Sequence, residues 1–148
     1  MITHDPLERY LADHGVTFTA IPSARHIALE REWQSIYDNV WRLGMRHKQG
    51  ARALDEAARR RADTFLIVPF LGNHAGPHAL ADRNPRPCAY ECTGDLPDLS
   101  PFASLDFFVA PPDLRWTLLH THEDHALGGP YFVDRAGLVP PTRRRNRG

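Results

Sequence analysis

The sequence predicts an α+β domain, helices first and strands later, and three stretches carry that expectation. Leu29, Trp33, Ile36, Tyr37, Val40, Trp41 and Gly44 recur at spacings of three and four, the period of one helix face. Phe65-Leu66-Ile67-Val68 is a near-continuous apolar run, the pattern of a central strand. Residues 104–121 read as two strands around the turn Pro111-Pro112-Asp113-Leu114. Together they predict N-terminal helices packed on one face of a mostly antiparallel sheet with a C-terminal hairpin.

Asp5-Pro6 is a cap followed by a first-turn proline, and Gly15 is a stop, so a short helix is expected over 6–14. Val16 to Ala20 alternates and is β-branched, predicting a short strand. Ser23 caps the long helix, which Gly44 or Gly50 ends. Residues 51–62 form a polar helix with a thin face through Leu54, Ala57 and Ala58; its Arg59-Arg60-Arg61 lies at the C-terminus, where cations suit the helix dipole. Pro69 ends the apolar strand. Residues 71–103, rich in Gly, Pro, Asn and Asp, predict a long irregular crossing with short pieces around 88–92. Ser104–Ala110 and Arg115–Thr121 are the hairpin strands, and Tyr131-Phe132-Val133 is a last short one.

A chain of 148 residues reads as one domain, here residues 1–134, followed by an Arg-rich flexible tail over 135–148. No apolar run approaches the roughly 20 residues of a membrane span, the start is too polar for a signal peptide, and two cysteines fit a reducing compartment. A cytoplasmic protein with no membrane contact is therefore expected. Eighteen basic residues balance 18 acidic ones, which argues against a general nucleic-acid binder. The balance hides segregation. Residues 25–61 carry a net +4, residues 91–134 a net −7 and residues 135–148 a net +5.

Chemistry is densest at His120-Thr121-His122-Glu123-Asp124-His125. On a strand, His120 and His122 share a face with Trp116 and Leu118, two residues apart, a spacing that lets two imidazoles reach one metal. The run H-x-H-x-D-H after an apolar strand resembles the signature of metallo-β-lactamase-fold hydrolases. That resemblance implies zinc ligands at His120, His122, Asp124 and His125. The chain is short for that fold, and the residues after His125 include no His or Cys to complete a second metal site. A second resemblance covers residues 104–134. Trp116-Thr117, Thr121-His122-Glu123 and Gly129-Pro130-Tyr131-Phe132 look like the C-terminal signature of small bacterial single-domain proteins without an assigned activity. It implies that Trp116 and Leu118 pack on the helices and that His122-Glu123 lies at a surface edge. His74, His78, Cys88 and Cys92 form a further H-x3-H…C-x3-C cluster, wider than the turns structural zinc prefers.

No phosphate loop and no nucleophile elbow is present. The expected function is thus binding rather than catalysis: an immunity-like inhibitor or binding protein presenting an acidic β-surface, with Asp106, Asp113, Glu123 and Asp134, to a basic protein partner. No cofactor is required by that reading. The alternative is a zinc-dependent hydrolase at His120, His122, Asp124 and His125.

Overall fold

A computed structural model describes residues 5–37, 48–60, 62–71 and 88–138. Its strands are β1 (Thr17–Ile21), β2 (Lys48–Gln49), β3 (Thr64–Pro69), β4 (Ala89–Thr93), β5 (Phe107–Ala110), β6 (Trp116–His120) and β7 (Tyr131–Asp134). They form a seven-stranded sheet in the order β1-β4-β3-β5-β6-β7-β2, every pair antiparallel. The helices are α1 (Pro6–Asp13), α2 (Ser23–Tyr37), α3 (Ala51–Arg60) and a single turn, α4 (Asp124–Leu127). Two 3-10 turns, Ser100–Leu105 and Arg135–Gly137, complete the described elements. The fold is α+β, with the expected antiparallel sheet and the β5–β6 hairpin.

The expectation of helices on one face needs correction, because they divide between both. On the first face, Leu7 and Leu11 of α1 and Ala53 and Ala57 of α3 cluster with Phe65, Ile67, Phe107, Val109, Trp116 and Leu118. On the second, Leu29, Trp33 and Tyr37 of α2 meet Leu66, Val68, Phe108, Ala110 and Leu119. Adjacent residues of β3 thus enter opposite clusters. The unbroken run Phe65–Val68 is the reason: a strand without a polar face needs cover on both sides.

Each helix is fixed by a few polar contacts as well as by burial. Asp5 caps α1, its Oδ1 accepting from the Leu7 and Glu8 amides at 2.8 and 3.1 Å. Along α2 four inward side chains bond to the sheet or its loops. His26 Nε2 donates to Pro69 O at 2.7 Å, and Glu30 Oε1 accepts from the Leu71 amide at 2.9 Å. Trp33 Nε1 donates to Thr117 Oγ1 at 2.8 Å, and Tyr37 Oη donates to Leu114 O at 2.6 Å. Trp33 also stacks on Phe108, ring centroids 5.1 Å apart and 15° from parallel. At α3, Arg60 binds both Glu56 and Asp134, and its guanidinium carbon lies 5.2 Å from the centre of the Phe132 ring. Arg60 and Lys48 together hold the Glu56 carboxyl below its usual range.

The crossing expected over 71–103 contains β4, which pairs with both β1 and β3, and the 3-10 turn. The latter takes up Ser104, so β5 begins at Phe107 instead. β2 was not expected; it is two residues long and too short to show alternation. Of the residues placed in the tail by composition, Arg135–Gly137 form the second 3-10 turn, and Leu138 after it packs on the α2-side cluster. Val40, Trp41 and Gly44 of the long-helix stripe, Arg61, and tail residues 139–148 lie outside the described residues.

Truncating Trp33 removes an aromatic stack and leaves the Thr117 hydroxyl without its donor. Trp33→Ala is expected to cost about 3–5 kcal/mol, read from urea unfolding. A cost under about 1 kcal/mol would show that α2 is not anchored there.

Candidate functional site

Strand β6 stops at His120, and the turn that follows assembles two histidine–carboxylate pairs. His120 is wholly buried and stacks on Phe107, centroids 4.9 Å apart. Its Nδ1 lies 3.1 Å from Asp124 Oδ2. An ionised carboxylate can only accept, so Nδ1 carries the proton. The other Asp124 oxygen accepts from the Thr121 amide and hydroxyl at 3.0 and 3.1 Å, closing the turn. Gly129 backs this carboxylate so closely that a Cβ there would collide with it. His120 Nε2 is buried and has no partner among the described residues.

His122 belongs to the second pair. Its amide donates to Asp106 Oδ1 at 2.6 Å, and its Nδ1 lies 2.9 and 3.1 Å from the two Asp106 oxygens. Asp106 is nearly buried and sits at the end of the first 3-10 turn with φ of 53°, a conformation an L side chain adopts at a cost of about 1–3 kcal/mol. The hydrogen bond and then the charge of Asp106 raise the His122 pKa above its ordinary 6.5. The pair's stabilisation is therefore complete below about 6.5 and is lost as pH rises through the raised value.

The four residues nominated as zinc ligands do not meet at one point. His120 and Asp124 form one pair, His122 joins Asp106 in the other, and His125 is exposed on α4. Among the described residues, no three His, Cys, Asp or Glu side chains are grouped to hold a metal ion. Of the second cluster, His74 and His78 lie outside the described residues. Cys88 is exposed, whereas Cys92 is buried beside Phe65 and Tyr90 in the α1-side core, where burial pushes its thiol up to about 12.

The residues nominated for partner contact are mostly engaged within the chain. Asp106 holds His122, Asp134 binds Arg60 and caps the Ala136 amide, and Asp113 meets Arg115 at 3.1 Å. Glu91 pairs with Arg25 at 2.8 Å, and Asp98 accepts from the Ser100 amide and hydroxyl at 2.9 and 2.6 Å. Burial raises Asp98, but the Ser100 bonds and the nearby His120 outweigh it and leave its carboxyl lowered. Glu123 is exposed.

Sequence reasoning missed a site at the other end of the sheet. An open cleft of about 510 Å³ lies where β3 begins and β4 ends, lined by Ala58, Phe65, Leu96, Trp116, Asp63 and Asp95. Asp63 precedes β3 and Asp95 follows β4; because Thr64 pairs with Thr93, the two carboxylates come to the same end of adjacent strands. Both are exposed, and neither makes a hydrogen bond or ion pair among the described residues. Gly94, at φ of 131°, turns the chain between Thr93 and Asp95 in a conformation other residues avoid. Trp116 is 99% buried, yet its indole N–H has no acceptor among the described residues. An unsatisfied buried donor costs about 1–3 kcal/mol. The available signal was the position of each aspartate next to a strand end, which becomes meaningful only once the β3–β4 register is known.

Compared with known proteins, the chain matches no family model, no curated protein and no solved structure. The site is accordingly read from its own geometry.

Two outcomes check the histidine corner. Asp106→Asn should return the His122 pKa toward 6.5, measured by NMR titration of the ring protons; a value that stays raised would refute the pairing. Gly129→Ala should displace Asp124 and cost about 2 kcal/mol or more in unfolding experiments; a neutral effect would show that the contact is loose.

Proposed function

We propose that this domain acts by binding, and that it captures a basic segment of a protein partner at the cleft end of its sheet. The observation that carries the reading is the pair Asp63 and Asp95: two exposed acidic residues, without partners among the described residues, that line a cleft together with Ala58, Phe65, Leu96 and Trp116. Most acidic side chains of the net −7 stretch are committed to Arg25, Arg60, Arg115, His120, His122 or Ser100. Recruiting those to a partner would first break a contact, whereas Asp63 and Asp95 have none to give up. This moves the expected partner face from Asp106, Asp113, Glu123 and Asp134 to the cleft, where two uncommitted carboxylates stand against the single one of Glu123. The role remains that of an inhibitor-like binding protein, with electrostatic attraction bringing a basic partner to an acidic, partly apolar surface. Among the described residues no helix is long and apolar enough to cross a membrane.

Titration calorimetry with an oligoarginine peptide tests the reading. Binding should weaken about tenfold, about 1.4 kcal/mol, in the Asp63→Asn/Asp95→Asn double variant, and should weaken with added salt. Asp113→Asn, which alters an exposed Asp–Arg pair, should leave it unchanged. Equal affinity in the double variant would overturn the proposal.

A further inference from the structure

On an observation separate from the cleft, we propose that the protein self-associates through β1, whose outer edge pairs antiparallel with β1 of a second copy about a two-fold axis. β1 stands at one end of the strand order and pairs with β4 alone. A strand so placed turns alternate N–H and C=O groups away from its neighbour, a row that water or another extended chain has to satisfy. Among the described residues, the ladder to β4 is the only backbone hydrogen bonding of residues 17–21.

The two edges of the sheet differ. At the other edge, β2 is two residues long and carries Lys48, and both features discourage a further strand. β1 has neither safeguard. Its residues Thr17, Phe18, Thr19, Ala20 and Ile21 include no charge and no proline, and three of the five are β-branched. Its five pairs with β4 run in unbroken register, so no bulge twists the edge away. Thr17, Thr19 and Ala20 are exposed. Both helices anchor further in. Glu8 of α1 accepts from Tyr90 Oη of β4 at 2.7 Å, and α2 runs from Arg25 on Glu91 of β4 to Trp33 on Thr117 of β6.

A second copy is the occupant that the strand itself specifies. Centred on Thr19, a two-fold axis pairs all five residues: Thr19 with Thr19, Phe18 with Ala20, and Thr17 with Ile21. No charge then opposes a like charge, the usual obstacle to pairing a strand with itself. On the α1 side, the half-buried Phe18 of each copy meets the small, exposed Ala20 of the other. On the α2 side, the threonines and Ile21 form a β-branched row, a favourable set of cross-strand neighbours. The contact is small, of the class under about 1,200 Å² that associates transiently. The dimer is accordingly weak and concentration-dependent.

Sedimentation velocity on the whole protein, from about 1 μM to about 1 mM, reads the association. Conversion of monomer to dimer across that range is expected. Ala20→Lys puts a charge on the edge and should weaken dimerisation at least about tenfold, as should Thr17→Lys, with circular dichroism reporting that each variant is folded. Ala28→Lys, on the exposed side of α2, should change nothing. The register is read by oxidation with copper–phenanthroline in a Cys88→Ser background. Directly opposed Cβ atoms lie roughly 4.5–5.5 Å apart, close to disulfide reach. Thr19→Cys should therefore cross-link two copies at least about tenfold faster than Ala28→Cys. If the lysine variants fail to fold, this cross-link decides. A monomer at every concentration overturns the proposal and leaves the edge to a strand of another protein. So does a dimer that survives in folded Ala20→Lys and Thr17→Lys, or equal cross-linking at positions 19 and 28.

Discussion

The structure depends on one constraint: the central strands β3, β5 and β6 are buried on both faces. Phe65, Ile67, Val109 and Leu118 enter one core, and Leu66, Val68, Phe108 and Leu119 enter the other. A polar group inside such a sheet has to find a partner there, as Thr117 does between Trp33 and the Val109 carbonyl. Within β3, β5 and β6 the charged and titratable groups stand at or beyond the strand ends, as His120, Asp106 and Asp63 do. Pro69, Phe107 and His120 line up at one end of the register, and Thr64, Thr93 and Trp116 mark the other. The histidine corner and the cleft are consequences of that sorting.

The two ends are chemically unlike. At the His120 end, Asp106 and Asp124 are almost buried, and each is saturated by a histidine and by turn amides. Such pairs fix the chain where it leaves β5 and β6. At the Trp116 end, the carboxylates of Asp63 and Asp95 are exposed and the buried donor beside them is unsatisfied. Each end also buries one polar atom without a partner among the described residues, His120 Nε2 at the first and Trp116 Nε1 at the second; the difference lies in the carboxylates, committed to histidines at one end and uncommitted at the other. That contrast, more than the density of histidines, separates the two candidate sites.

Much of the fold was legible in the residues. Asp5-Pro6 and Gly15 bound α1, the Trp33–Tyr37 spacing reports the buried face of α2, and the Pro111–Leu114 turn places the hairpin. The run Phe65–Val68 already implied cover on both sides, but nothing local says which helix lies on which face. The short pieces expected around 88–92 are β4, but its pairing with both β1 and β3 could not be read from local sequence. The H-x-H-x-D-H spacing suggested convergence because strand alternation was carried past His120. The strand ends there, and the turn sends His122 to Asp106, 16 positions earlier in the chain. Charge segregation was visible, but its meaning was not: pairing such as Arg25–Glu91 and Arg60–Asp134 is a tertiary fact. The cleft needed the β3–β4 register as well.

The proposed partner face is the open end of the sheet and not the histidine corner. A crystal structure of the protein with a bound oligoarginine peptide tests it most directly. A guanidinium is expected at Asp63 and Asp95, in the cleft they share with Phe65 and Leu96. A peptide seated at His122 and Glu123, or along the β1 edge with the cleft unfilled, would contradict it.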